Sequence, residues 1–137
     1  MAYVNNDWNQ LQELLKNMGN PPFSITDDVD LYEQDIETLG NLVSVGGYLD
    51  LEQTKIKSLG NLEYVGGYLD LRYTPIESLG NLEYVGGDLY LDNTTIESLG
   101  NLEYVGSYLY LADTLLSKKY SEEEIRNMVE VKGKIYI

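Results

Sequence analysis

Apolar residues return along this chain on two interleaved periods. Within short runs they alternate, so that Tyr48-Leu49-Asp50-Leu51 reads out, in, out, in, the period of a β-strand. Between runs the whole pattern recurs every twenty residues: LGNLVSVGGYLDLEQTKIKS from Leu39, LGNLEYVGGYLDLRYTPIES from Leu59, LGNLEYVGGDLYLDNTTIES from Leu79 and LGNLEYVGSYLYLADT from Leu99. A fixed period near twenty is the signature of a solenoid, in which each unit is one coil laid on the last. In register, Leu31, Leu51, Leu71, Leu91 and Leu111 form one apolar column, and Ile36, Ile56, Ile76, Ile96 and Leu116 form another. Leu39 to Leu99, Leu42 to Leu102 and Val45 to Val105 give three more at the same spacing. Corresponding strands are expected to pair in parallel, ~4.8 Å apart.

The remaining segments predict the two ends. Residues 5 to 18 carry Trp8, Leu11, Leu14, Leu15 and Met18 as an apolar helical stripe, with Asn6 or Asp7 as N-cap and Gly19 as the stop. Pro21 and Pro22 prevent continuation. A first coil exposes half a core, so this helix is expected to cover it. The coil from Val29 is degenerate, and the fifth copy breaks after Leu116. Ser121-Glu122-Glu123-Glu124 is a capping box opening a helix with Ile125, Met128 and Val129 on its apolar side. The run from Val131 to Ile137 then repeats the Val-Gly-Gly-Tyr-Leu-Asp-Leu pattern as a sixth strand, an edge blunted by Lys132 and Lys134.

The predicted fold class is mainly β with terminal helices (α+β), a short parallel-β solenoid of about five to six coils. One domain is expected: a capping helix in 1–22, the repeat solenoid in 23–116, and a helix-containing last coil with a C-terminal strand in 117–137. Paired glycines (Gly46/Gly47, Gly66/Gly67, Gly86/Gly87) predict a tight corner or a positive φ before each strand. Gly40, Gly60, Gly80 and Gly100, each followed by Asn, mark a second corner. Thr54, Thr74, Thr94 and Thr114 offer hydroxyls to backbone groups at the bend.

Charge narrows the partners. The net charge is −14, and Asp27 to Asp113 hold 17 acids against 3 bases, while the flanks balance. That field repels nucleic acid and anionic membrane and attracts basic proteins. The chain has no cysteine and no histidine, which removes thiol chemistry and the commonest general base and metal ligand. No cofactor or metal is expected, since no phosphate loop or calcium loop occurs. No leader and no apolar run near ~20 residues appears, so a cytoplasmic protein is expected.

The run Leu69-x-Leu71-x-x-Thr74-x-Ile76 resembles the LxLxxNxL core of the leucine-rich-repeat superfamily, with Thr in place of Asn. Leu79-Gly-Asn81-Leu82-Glu-Tyr-Val85-Gly-Gly-Asp-Leu89-Tyr-Leu91 is similar to the short repeats of receptor L-domain-like solenoids. The resemblance covers Val29 to Leu116 and implies a binding scaffold that recognises other proteins. It departs from the extracellular members in having no cysteine.

With the leucines inward, Tyr48, Asp50, Tyr68, Asp70, Asp88, Tyr90, Tyr108 and Tyr110 are expected to face water as a partner-binding surface, flanked by Tyr32, Glu52, Arg72 and Asp92. Tyrosine gives rigid contact area with a polar tip, and interspersed carboxylates select Lys- and Arg-rich partners. Tyrosines also stabilise neighbouring strands, whereas the column Asp30, Asp50, Asp70 costs stability by like-charge repulsion. Glu63-Tyr64, Glu83-Tyr84 and Glu103-Tyr104 form a second surface, read as structural. Equivalent carboxylates in a ladder lack the unequal environments that acid–base pairs need, so no enzyme is expected.

Three functions follow. The first is a protein-interaction module docking on a basic partner, in its sharpest form a phage-type inhibitor that mimics nucleic acid in the groove of a host enzyme. The second is a carbohydrate-binding module. The third is a homodimer in which Lys134, Ile135, Tyr136 and Ile137 pair with their twin at the open edge.

Overall fold

The computed structural model describes residues 5–137. In chain order its elements are helix α1 (Asn5–Asn17) and strands β1 (Phe23–Ile25), β2 (Val29–Asp30), β3 (Leu42–Val45), β4 (Leu49–Asp50), β5 (Tyr64–Val65), β6 (Leu69–Asp70), β7 (Tyr84–Val85), β8 (Leu89–Tyr90), β9 (Tyr104–Val105) and β10 (Leu109–Tyr110). Helices α2 (Leu115–Lys119) and α3 (Glu122–Met128) and strands β11 (Glu130–Val131) and β12 (Ile135–Tyr136) complete it. Odd-numbered strands form one six-stranded parallel sheet, here sheet one, and even-numbered strands form sheet two. Four regular coils lie between an irregular first coil and an enlarged last one.

The twenty-residue period fixes the register. Leu49, Leu69, Leu89, Leu109 and Ile135 are successive partners in sheet two, as are Val45, Val65, Val85, Val105 and Val131 in sheet one. In the regular coils the predicted apolar columns are almost all closed to water, with Leu51, Leu71, Leu91, Ile56, Ile76 and Ile96 at 0% exposure. Each such side chain contributes about 1.5–3 kcal/mol of burial. The sequence pattern pointed to one strand per coil; the second comes from the Tyr-Val pair ahead of the glycines, aromatic and β-branched residues suited to a pleat.

Of the two alternatives expected at the paired glycines, a tight corner or a positive φ, the chain bends there without the positive φ. The paired glycines do not adopt a positive φ; they let adjacent coils approach. A Cβ on Gly66 would be driven into the carbonyl oxygen of Gly46, and one on Gly86 into that of Gly66. The left-handed conformation belongs to the second corner, as at Gly80 with φ 54°. It recurs at a position not foreseen, just after the strand of sheet two, where Glu33, Gln53, Tyr73, Asn93 and Asp113 all have φ between 57° and 61°. The threonines behave as expected: Thr54, Thr74, Thr94 and Thr114 donate from Oγ1 to the carbonyls of Leu51, Leu71, Leu91 and Leu111 at 2.6–2.8 Å.

Helix α1 covers the N-terminal end of the core. Trp8 is 1% exposed and lies 6.0 Å from Phe23, ring to ring, and Leu15 is buried. The apolar stripe is narrower than predicted, because Leu14 and Met18 are exposed at 57% and 63%. Asn5 is already helical, so Asp7 lies inside the first turn rather than at its start, and the side chain of Asn6, the other cap candidate, is outside the described residues.

At the other end Thr114 caps α2, a helix the pattern did not suggest, and Ser121 and Glu124 close the predicted capping box of α3. Ile125 and Val129 are buried while Met128 is half exposed. From α3, Arg126 reaches across the last coil and donates to the carbonyls of Val131 and Gly133, both at 2.9 Å. In the regular coils those two carbonyl positions receive the N–H groups of the next coil, as when Gly66 bonds Val45 and Gly67 bonds Gly47. The guanidinium therefore stands in for a further coil and closes sheet one. The lysines are not the only protection at this end.

Candidate functional site

The outer face of sheet two is built by the out-pointing residues of β2 to β12, with the buried leucines between them setting their direction. Tyr48 stacks on Tyr68 at 4.7 Å between ring centroids. Two residues along the strands a second ladder runs through Tyr90, Tyr110 and Tyr136 at 4.7 and 4.9 Å. Edge-to-face contacts join them, Tyr68 to Tyr90 at 6.1 Å and Tyr108 to Tyr110 and Tyr136 at 6.4 and 6.0 Å. Six tyrosines thus form one connected aromatic band. Within each ladder the rings stack along the solenoid axis, so that neighbours cover one another's faces, while Tyr108 makes edge contacts only and Tyr136 ends its ladder.

Burial and neighbouring carboxylates suppress ionisation of Tyr48, Tyr68, Tyr90 and Tyr110. Burial, seconded by Asp88, pushes the Tyr90 hydroxyl up to about 12. Tyr48, Tyr68 and Tyr110 are raised as well, burial first and nearby aspartates after it.

The carboxylates are engaged by the fold. Asp30, Asp50 and Asp70 each accept the backbone N–H two residues on, from Tyr32, Glu52 and Arg72 at 3.0–3.2 Å. Asp28 and Asp88 accept an N–H from the following coil, at Tyr48 and Tyr108. Asp88 also accepts from the Tyr90 hydroxyl at 3.2 Å. The aspartate column that looked costly is therefore partly a set of turn caps.

Asp70 corrects the sequence reading most. Expected on the open face, it is 3% exposed. Arg72 folds over it, donating from Nε to Oδ1 at 3.0 Å and from Nη2 to Oδ2 at 2.6 Å. The same Nη2 reaches Glu52 at 3.3 Å. The guanidinium also sits 4.7 Å above the ring centre of Tyr90, which caps the lower end of that ladder. The bond to Asp70 holds Arg72 charged well above its ordinary range. Oxygens of Asp50, Glu52 and Asp70 lie within 4.8 Å of one another, a set with the donor chemistry of a cation site; Arg72 brings its own positive charge to it. Around this centre burial raises the carboxyls of Asp50, Glu52 and Asp92. Asp92 keeps one buried oxygen with no donor among the described residues.

Tyr48, Asp50, Tyr68, Asp88, Tyr90, Tyr108 and Tyr110 lie together on the outer face as predicted, Tyr108 exposed and the rest half-buried. Arg72 was noted only as a flanking residue. Its signal was present: it is the one base in the column Tyr32, Glu52, Arg72, Asp92. On sheet one, Tyr64, Tyr84 and Tyr104 stack at 4.8 and 4.9 Å. At the end of sheet two, β12 pairs only with β10. There Ile135 is buried, while Lys134, Tyr136 and Ile137 are exposed.

The fold and this face define a parallel β-solenoid with twenty-residue coils carrying an aromatic and acidic outer surface. No family model, no curated protein and no solved structure matches the chain. Among the described residues no helix is long and apolar enough to cross a membrane.

Proposed function

We propose that the chain is a non-enzymatic, cytoplasmic protein-binding module, a short variant of the leucine-rich-repeat plan, whose sheet-two face docks on a basic protein surface. The observation that carries this reading is the face itself. Asp30, Asp50, Glu52, Asp88 and Asp92 accompany six tyrosines over adjacent coils, and Arg72, neutralised by Asp70, is the one basic side chain in the middle of them. Asp30, Asp50 and Asp88 are held by backbone donors and so pre-ordered, and docking loses little of their side-chain entropy. In its sharpest form the module inhibits a nucleic-acid-binding enzyme by lying in its groove, carboxylates in place of phosphates.

Stacking weighs against the carbohydrate reading. A sugar packs on an open ring face, and within the ladders neighbouring rings occupy those faces. Self-association through Lys134 to Ile137 is the second reading, favoured by the unpaired edge of β12.

The test is capture from lysate at low and at high salt, repeated with the double variant Asp50→Asn, Asp92→Asn. Basic partners lost both with salt and with the variant support the proposal. Neutral or acidic partners, retained through both changes, would falsify it.

A further inference from the structure

The last coil closes its two sheets differently. In sheet one, Arg126 supplies the two donors that a further coil would bring to Val131 and Gly133. Among the described residues sheet two has no such device. Along it each coil donates N–H groups to the coil after it, Leu89 and Leu91 to the carbonyls of Tyr108 and Tyr110, and Leu109 and Leu111 to those of Lys134 and Tyr136. One coil further on, the equivalent donors are the N–H groups of Ile135 and Ile137, and among the described residues no strand lies beyond β12.

The aromatic ladder ends in the same place. Its lower end, Tyr90, is covered by the Arg72 guanidinium at 4.7 Å, whereas Tyr136 stacks on Tyr110, meets Tyr108 edge to face, and among the described residues has no cation over its ring, at 42% exposure. The molecule thus displays, on one ladder, an end capped by arginine and an end without a cap.

We infer that β12 receives an extended strand from a basic partner, which pairs with the N–H groups of Ile135 and Ile137 and lays an arginine on the ring of Tyr136. This rests on the docking reading above and says where and how that partner is gripped. Three observations select the occupant. The open donors require a backbone in strand conformation. The Arg72–Tyr90 contact shows which side chain this ladder accepts at its end. The acidic excess on the adjoining coils draws cationic segments toward it. Arginine suits the site better than lysine because its planar group covers a ring. A second copy of this chain is a weaker occupant, since each copy carries −14.

The probe is a capped eight-residue peptide alternating valine and arginine, titrated into the whole protein by calorimetry, with amide exchange followed by NMR. Binding is expected to slow exchange at Ile135 and Ile137. Tyr136→Ala is expected to weaken binding about 5- to 30-fold, and Tyr136→Phe to leave it nearly unchanged. Lysine in place of arginine, or backbone N-methylation of the peptide, is expected to lower affinity. The inference is overturned by no binding at millimolar peptide, by equal binding to Tyr136→Ala, or by binding that leaves both amides unprotected. It is overturned too if those amides are already protected in a dimer formed without peptide. The double variant Asp50→Asn, Asp92→Asn separates the two proposals. Lysate capture indifferent to that variant and to salt, with the peptide still protecting both amides, overturns the face reading and supports this inference, whereas capture sensitive to both with no peptide binding overturns this inference alone.

Discussion

Truncating Arg72 to alanine isolates one buried carboxylate. Asp70 has 5% of its side chain exposed and would lose both guanidinium bonds while keeping the backbone N–H of residue 72 at 3.1 Å. Removing one partner of a buried pair costs about 3–5 kcal/mol. Here the guanidinium is 33% exposed, so water already screens part of the attraction, and the loss works out at about 2–3 kcal/mol. For a chain of this length that lowers Tm by about 6–9 °C. The neighbouring coils supply a compensated alternative. The double substitution Asp70→Tyr, Arg72→Ala gives this coil the residues found at Tyr110 and Ala112, extends the Tyr90 ladder by one ring, and leaves no buried charge. It is expected to recover all but about 1 kcal/mol, the stacked ring adding up to about 1 kcal/mol on its own. Urea unfolding by circular dichroism reads both values, with an unchanged slope as the check that the same surface unfolds. A loss below about 0.5 kcal/mol in Arg72→Ala, or a double variant no better than the single one, would refute the account of Asp70 as a charge held in place by Arg72.

Three further outcomes are expected. Gly66→Ala pushes a methyl into the Gly46 carbonyl and should cost about 1–3 kcal/mol, whereas Gly80→Ala, with open space around it, should cost about 1 kcal/mol from its positive φ alone; denaturant midpoints compare them. Tyr73→Asn, at an exposed site with φ 57°, should gain about 0.5–1 kcal/mol, and a loss would show that the Tyr73 ring makes contacts worth more than the strain. Burial raises the folded-state carboxyls of Asp50, Glu52 and Asp92, so the native state holds their protons more tightly than the unfolded chain; stability should therefore fall as pH rises from the ordinary values of 3.8 and 4.5 through the raised ones, and unfolding free energies that climb over this window would contradict it.

The coil was legible because its information is repeated. Leu69 and Leu71 specify an inward pair once, and the same letters one period on specify it again, so a single chain carries its own alignment. The corner chemistry of Thr74 and the capping box at Ser121 were also legible, since each depends on neighbours within three residues. The corner at the glycine pairs was legible but its cause was not, because a short stretch of sequence does not distinguish a backbone that needs a positive φ from one that needs room for the coil below. Gly66 is set by Gly46, twenty residues away. Asp70 and Arg72 escaped for a related reason. Alternation gave the direction of both side chains correctly, but a long cation can fold back over a short anion and bury it without changing which face either belongs to. Arg126 was invisible as a stopper because its partners are carbonyls, which every residue has.

Beyond its bond to Glu122, Arg126 reads main-chain carbonyls of its own last coil, so the lid carries its seal with it whichever coil lies beneath. Whole twenty-residue units can be spliced in ahead of it, or taken out, and the same lid will fit the new rim. Each insertion would move the lid outward by one strand spacing of ~4.8 Å. Such a molecule is a rod of adjustable length, and its reach along a partner can be set by duplication alone.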